Sequence, residues 1–80
     1  MLKIRKAMIN ETTESVFIYE NKKEEYTLVA IPSIQWSTII QYEEETAVIR
    51  DRVHRSLVKV LDEDTASLTT NKITHWVREM

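Results

Sequence analysis

The hydrophobic positions follow two different periods. As far as Tyr42 they alternate with polar ones, as on a pleated strand; beyond Thr46 they recur at helical spacing. The strand half centres on Tyr26–Tyr42, YTLVAIPSIQWSTIIQY, the longest uncharged stretch and the densest in β-branched and aromatic residues. Leu28 and Ala30 point to one side of it, and Thr27, Val29 and Ile31 to the other. Pro32 has no N–H for a ladder, so Pro32-Ser33 is a reversal or a sharp bend. After it Ile34, Trp36, Thr38, Ile40 and Tyr42 line one side, with Gln35, Ser37, Ile39 and Gln41 opposite. The pattern predicts strands over 26–32 and 34–42.

Two further strands precede this stretch. Leu2, Ile4 and Met8 recur at even positions, interrupted by Lys6, and predict a strand over 2–9 whose basic residues suit a sheet edge. The polar run Asn10–Glu14 predicts a turn, and SVFIYE (Ser15–Glu20) a second strand. A Lys22-Lys23 loop would set Phe17 opposite Leu28 and Tyr19 opposite Tyr26, with Asn21 suited to a left-handed turn position; a register one residue different is an alternative.

The helical half opens with Glu43-Glu44-Glu45, acids suited to a helix first turn, with Thr46 as an alternative cap. Ile49, Val53, Leu57, Val60 and Leu61 form one apolar stripe and predict a helix ending near Leu61. Asp64 or Thr65 would cap a second helix over 65–79, with Ala66, Leu68, Ile73, Trp76 and Val77 on its apolar side. The expected fold class is α+β: an antiparallel sheet of three to four strands followed by two C-terminal helices packed on one face. Residues 1–80 form a single small domain. Two helices about 10 Å wide match four strands spaced at about 4.8 Å, so they cover one face. That face is expected to be the one carrying Phe17, Leu28 and Ala30, extended by Ile34, Trp36 and Ile40. Val16, Ile18, Val29, Ile31 and Ile39 would then lie on the uncovered face and serve as a protein interface. One helix on each face is the alternative.

Composition removes several chemistries. The 80 residues include no glycine and no cysteine. Without glycine there is no Walker or Rossmann phosphate loop and no nucleophile elbow. Without cysteine there is no disulfide, thiolate metal site or Cys nucleophile, which suits a reducing cytoplasm. The net charge of −2 gives no strong pull on nucleic acid, and no stretch approaches the roughly 20 apolar residues of a membrane span.

The remaining candidates are few. Asp51 and His54 are one helical turn apart, but no third ligand or nucleophile is spaced to join them, so they read as helix-surface residues. His75, beside Trp76, reads as a boundary residue. The acid runs Glu43–Glu45 and Asp62–Asp64 lack the spacing of a calcium loop and read as solvated helix-end charge. Arg52, Arg55 and Lys59 share one side of the first helix and form a candidate contact for phosphate or an acidic partner, with Asp51 placed to pair with Arg55, but an ordinary solvated face paired with acids elsewhere is the better reading. Trp36 and Trp76 could stack bases, but core packing is the better reading of both.

The opening Lys3-Ile4-Arg5, the run YENKKEEYTLVAIPSIQWS (Tyr19–Ser37) and the ending Trp76-Val77-Arg78-Glu79 resemble the YueH-like family of small bacterial proteins. The resemblance implies a bacterial cytoplasmic protein and carries over no catalytic or binding residue. The expectation is a non-catalytic protein-interaction or regulatory module without a cofactor, meeting a protein partner or a second copy of itself away from the membrane. A nucleic-acid-binding module using the basic side of the first helix is the alternative.

Overall fold

The computed structural model describes residues 1–79. Four strands form an antiparallel meander, β1 (Leu2–Ile9), β2 (Thr12–Asn21), β3 (Tyr26–Ile31) and β4 (Trp36–Gln41), in the order β1-β2-β3-β4. Two helices follow, α1 (Thr46–Leu57) and α2 (Glu63–Glu79). Both pack on the same face of the sheet, giving the two-layer α+β arrangement expected from the two periodicities.

The turns carry the main corrections to the expected pairing. Only Asn10 and Glu11 separate β1 from β2; both are left-handed, at φ 51° and 64°, as a two-residue hairpin turn of primed type requires. Thr12–Glu14 are therefore strand rather than turn. Between β2 and β3 the loop is four residues long, Asn21 pairs with Tyr26, and Glu25 rather than Asn21 is left-handed, at φ 57°. The Asn21 carboxamide oxygen instead accepts the Glu24 N–H at 3.0 Å and closes the loop. Phe17 thus faces Ala30 and Tyr19 faces Leu28. This is a two-residue slip from the expected register, and it leaves every side chain on its expected side.

The β3–β4 connection changes more. Pro32–Ile34 form one turn of 3₁₀ helix and Gln35 closes it in the left-handed region at φ 51°, so Ile31 pairs with Trp36. Four intervening residues set Trp36 and Ile40 on the side of Val29 and Ile31, not on that of Leu28 and Ala30. This makes the Val16–Ile18–Val29–Ile31 side the more apolar, and the helices cover it. The covered face is therefore the opposite of the one expected.

The core lies between this face and the helices. Val16, Ile18, Val29 and Ile31 from the sheet and Ile49, Val53, Leu57, Ala66 and Ile73 from the helices have no solvent exposure. α1 ends at Leu57, one turn early, which leaves Val60 outside the stripe and exposed; Leu61 still reaches the core. α2 begins earlier than expected because its cap is Asp62, which accepts the Thr65 N–H at 3.0 Å, and not Asp64 or Thr65. Hydrogen bonding to Thr65 holds the Asp62 carboxyl below its usual range. Trp36 is buried, and its indole N–H donates to Ser56 Oγ at 2.7 Å, joining β4 to α1.

Trp36→Ala is expected to unfold the domain at 37 °C. Truncating a buried aromatic costs about 3–5 kcal/mol. That is comparable with a small domain's whole stability of roughly 5 kcal/mol. Thermal melting by circular dichroism checks this; a midpoint within a few degrees of wild type would contradict it.

Candidate functional site

The uncovered face of the sheet is built from the complementary set of strand residues. Its middle consists of two cross-strand rows, Ile4–Phe17–Ala30–Ser37 and Leu2–Tyr19–Leu28–Ile39. Among the described residues, half of the exposed large hydrophobics lie here: Leu2 at 56%, Ile4 at 53%, Met8 at 61%, Tyr19 at 39% and Ile39 at 49%. The others lie off the sheet's uncovered face. Polar residues border the rows. Lys6 donates to Ser15 at one end, while Asn21, the Tyr26 hydroxyl and Gln41 lie at the other. Of the strand residues on this face only Lys6 is charged. An apolar centre inside a polar rim with little charge is the anatomy of a protein contact surface.

The expected interface residues divide. Val16, Ile18, Val29 and Ile31 are core and reach no partner, because the β3–β4 turn puts Trp36 and Ile40 beside them and the helices follow that apolar majority. Ile39 alone of the set is on the uncovered face.

The basic side of α1 is not a free stripe. Arg52 donates to Thr38 Oγ1 at 2.9 Å and to the Ile39 carbonyl at 3.2 Å, and pairs with Glu44 at 2.9 Å, clamping α1 to β4. Arg55 pairs with Asp51 at 2.7 Å, as their spacing foretold. Lys59 lies past the end of α1. His54 is half-buried between the helices, with Glu63 at 3.0 Å and Ser67 at 3.3 Å. Both contacts converge on Nε2, whereas a nucleophilic triad needs the acid on Nδ1 and the hydroxyl on Nε2. Asp51, one turn before His54, is held by Arg55 as expected and does not join it. His75 is exposed and pairs with Glu79 at 3.4 Å rather than packing at the boundary. Trp76 is half-buried against the core. Among the described residues no three His, Asp or Glu side chains converge to hold a metal.

Sequence reasoning missed a cleft of about 230 Å³ between the end of the sheet and the last turn of α2, where Glu20, Thr27, Tyr42, Val77 and Arg78 meet. The Tyr42 hydroxyl donates to Glu20 at 2.7 Å. Burial, then the Glu20 hydrogen bond and the nearby Glu20 and Glu25 charges, push the Tyr42 phenol up to about 12. The guanidinium of Arg78 turns toward Thr46 and the Glu44 carbonyl, fixing the helix end against the β4–α1 loop. The Tyr42–Glu20 pair spans 22 residues and had no local signal.

A four-strand meander with both helices on one side and an apolar uncovered side defines a small two-layer α+β domain with one open sheet. The profile of the YueH-like protein family matches residues 3–79, and the chain belongs to that family. It is 48% identical, over 82 residues covering 99% of this chain and 100% of the relative, to the uncharacterized protein YueH of Bacillus subtilis (strain 168). No solved structure matches the chain. Among the described residues no helix is long and apolar enough to cross a membrane.

Val29→Lys is expected to unfold the chain, since it places an unpaired charge at a position with no exposure, whereas Ile39→Lys keeps the fold. Circular dichroism and urea melts of the two variants distinguish them, and equal behaviour would contradict the face assignment. The Tyr42 phenol titrates higher folded than unfolded, so its contribution is complete below pH 10 and lost as pH rises toward 12. Tyr42→Phe should therefore lose less stability than wild type over that window, and parallel alkaline limbs in the two urea-melt series would refute the Glu20 contact.

Proposed function

We propose that the chain is a non-catalytic protein-interaction module of the cytoplasm whose contact surface is the open face of the sheet. The observation that carries this reading is the cluster of exposed Leu2, Ile4, Tyr19 and Ile39 around half-buried Phe17 and Leu28, inside a rim that holds a single charge. An exposed antiparallel face is ordinarily polar, so apolar rows there favour a partner. The absence of cysteine accords with a reducing compartment. The nucleic-acid reading is the less favoured one, since Arg52 and Arg55 are paired with Glu44 and Asp51.

A photo-crosslinking amino acid placed at Ile39, and separately at exposed Leu68 of α2, tests this in cells. Discrete protein adducts are expected from position 39, absent from position 68, and lost when Ser37→Lys is added on the same face. Adducts at neither position, or equally at both, would overturn the assignment.

A further inference from the structure

We infer that the partner of the open face is a second copy of this chain, stacked sheet on sheet about a two-fold axis parallel to the strands. This rests on the open face being the contact surface.

Charge is the first reason. In an isologous pair the same patch meets itself, so a patch of one sign would meet its own sign. Here Lys6 is the only strand charge on the face and sits at one end, bonded to Ser15. The patch is therefore free to meet itself without like charges opposed at its centre.

Relief is the second reason. A two-fold axis along the strands places β1 over β4 of the second copy and β2 over β3, with each row kept in line. In one row Phe17 then lies over Ala30, and Ile4 over Ser37, a large side chain over a small one each time. In the next row Tyr19 lies over Leu28 and Leu2 over Ile39. A two-fold axis across the strands, midway between the two rows, would instead set β2 upon β2 and bring Phe17 of each copy against the bulky Tyr19 of the other. Stacked sheets pack with their strands nearly aligned, which the first arrangement satisfies.

Area sets the strength. Four strands about 4.8 Å apart and about 20 Å long give a flat footprint of roughly 400 Å². This is below the roughly 800 Å² per partner of a standard interface, before side-chain relief is added. A footprint this small points to a reversible pair.

Sedimentation of the purified full chain tests the inference. The mass is expected to rise from 9.5 kDa toward twice that value as loading passes through the micromolar range. Ile39→Lys and Leu2→Glu should each weaken association at least tenfold while the circular-dichroism spectrum stays folded. An equimolar mixture of the two variants should associate again, because the introduced ammonium and the introduced carboxylate then face one another across one of the two equivalent contacts. Ser37→Lys, at an exposed polar position, serves in place of any variant that fails to fold. A wild type that stays monomeric at every loading overturns the second copy as partner, as does a dimer indifferent to all three substitutions. Two monomeric variants that fail to rescue each other overturn the axis along the strands. A monomer that still gives face-specific crosslinks to a different protein sinks the dimer and leaves the interaction module standing; a monomer without such crosslinks sinks both.

Discussion

The whole arrangement depends on four residues, Pro32–Gln35, that set the parity of β4 against β3. Side chains alternate along a strand, so one residue more or fewer in this turn would move Trp36 and Ile40 to the other side of the sheet. As built, Ile31 meets Trp36, and the apolar residues of β4 add to those of β2 and β3 on a single face. That face attracts both helices. Pro32 presets the first turn position without needing an N–H partner, and Gln35 takes the left-handed conformation at φ 51°. For a residue with a β-carbon this conformation costs roughly 1–2 kcal/mol. The chain bears that cost in every hairpin, at Asn10, Glu11, Glu25 and Gln35, because it has no glycine to take the position. The strain is offset by the burial that correct parity secures.

Once parity is set, α1 is locked to β4 by two contacts of different kinds. Trp36 brings buried area and a hydrogen bond to Ser56, while Arg52 reaches Thr38, the Ile39 carbonyl and Glu44. The Arg52 contact also occupies a carbonyl on the outer strand, one acceptor fewer for an incoming chain to pair with. On the same loop Arg78 binds the Glu44 carbonyl and Thr46, holding the last turn of α2 to the β4–α1 connection, and Arg5 reaches Glu79 at 3.6 Å. These arginines are all engaged in contacts within the fold.

The element types were legible because each depends on local periodicity. Strand β1 and the start of β3 fall where alternation puts them, and the Ile49–Val53–Leu57 stripe faces the core as helical spacing requires. The covered face was not legible, since it is decided by the length of one turn and by which residue in it goes left-handed. Glycine normally marks that position, and here nothing does. The uncovered face was legible in kind: both sheet faces read as partly apolar and one was expected to stay uncovered, with one helix on each face as the alternative. Its membership was inverted with the parity, leaving Ile39 as the shared residue. The particular partner of Arg52 was not legible for a related reason. Its partner Glu44 belongs to an acid run that reads as solvated helix-end charge, and only the folded chain brings the two within 3 Å.

The open face follows from the count of elements. Two helices cover the width of four strands once, and among the described residues no third layer covers the other side. A sheet left bare in this way would be stable as a polar surface, as the exposed sides of antiparallel sheets usually are. Thr13, Ser15, Asn21, Ser37 and Gln41 show that the chain does place polar residues on this side, at the borders of the two central rows or at the end of one. Within those rows it places Ile4, Phe17, Leu28 and Ile39 instead. Apart from Met8, the exposed apolar residues of this face gather in its two central rows while the polar ones lie mainly at its borders, and the packing of a monomer gains nothing from that distribution. The proposed contact surface rests on it.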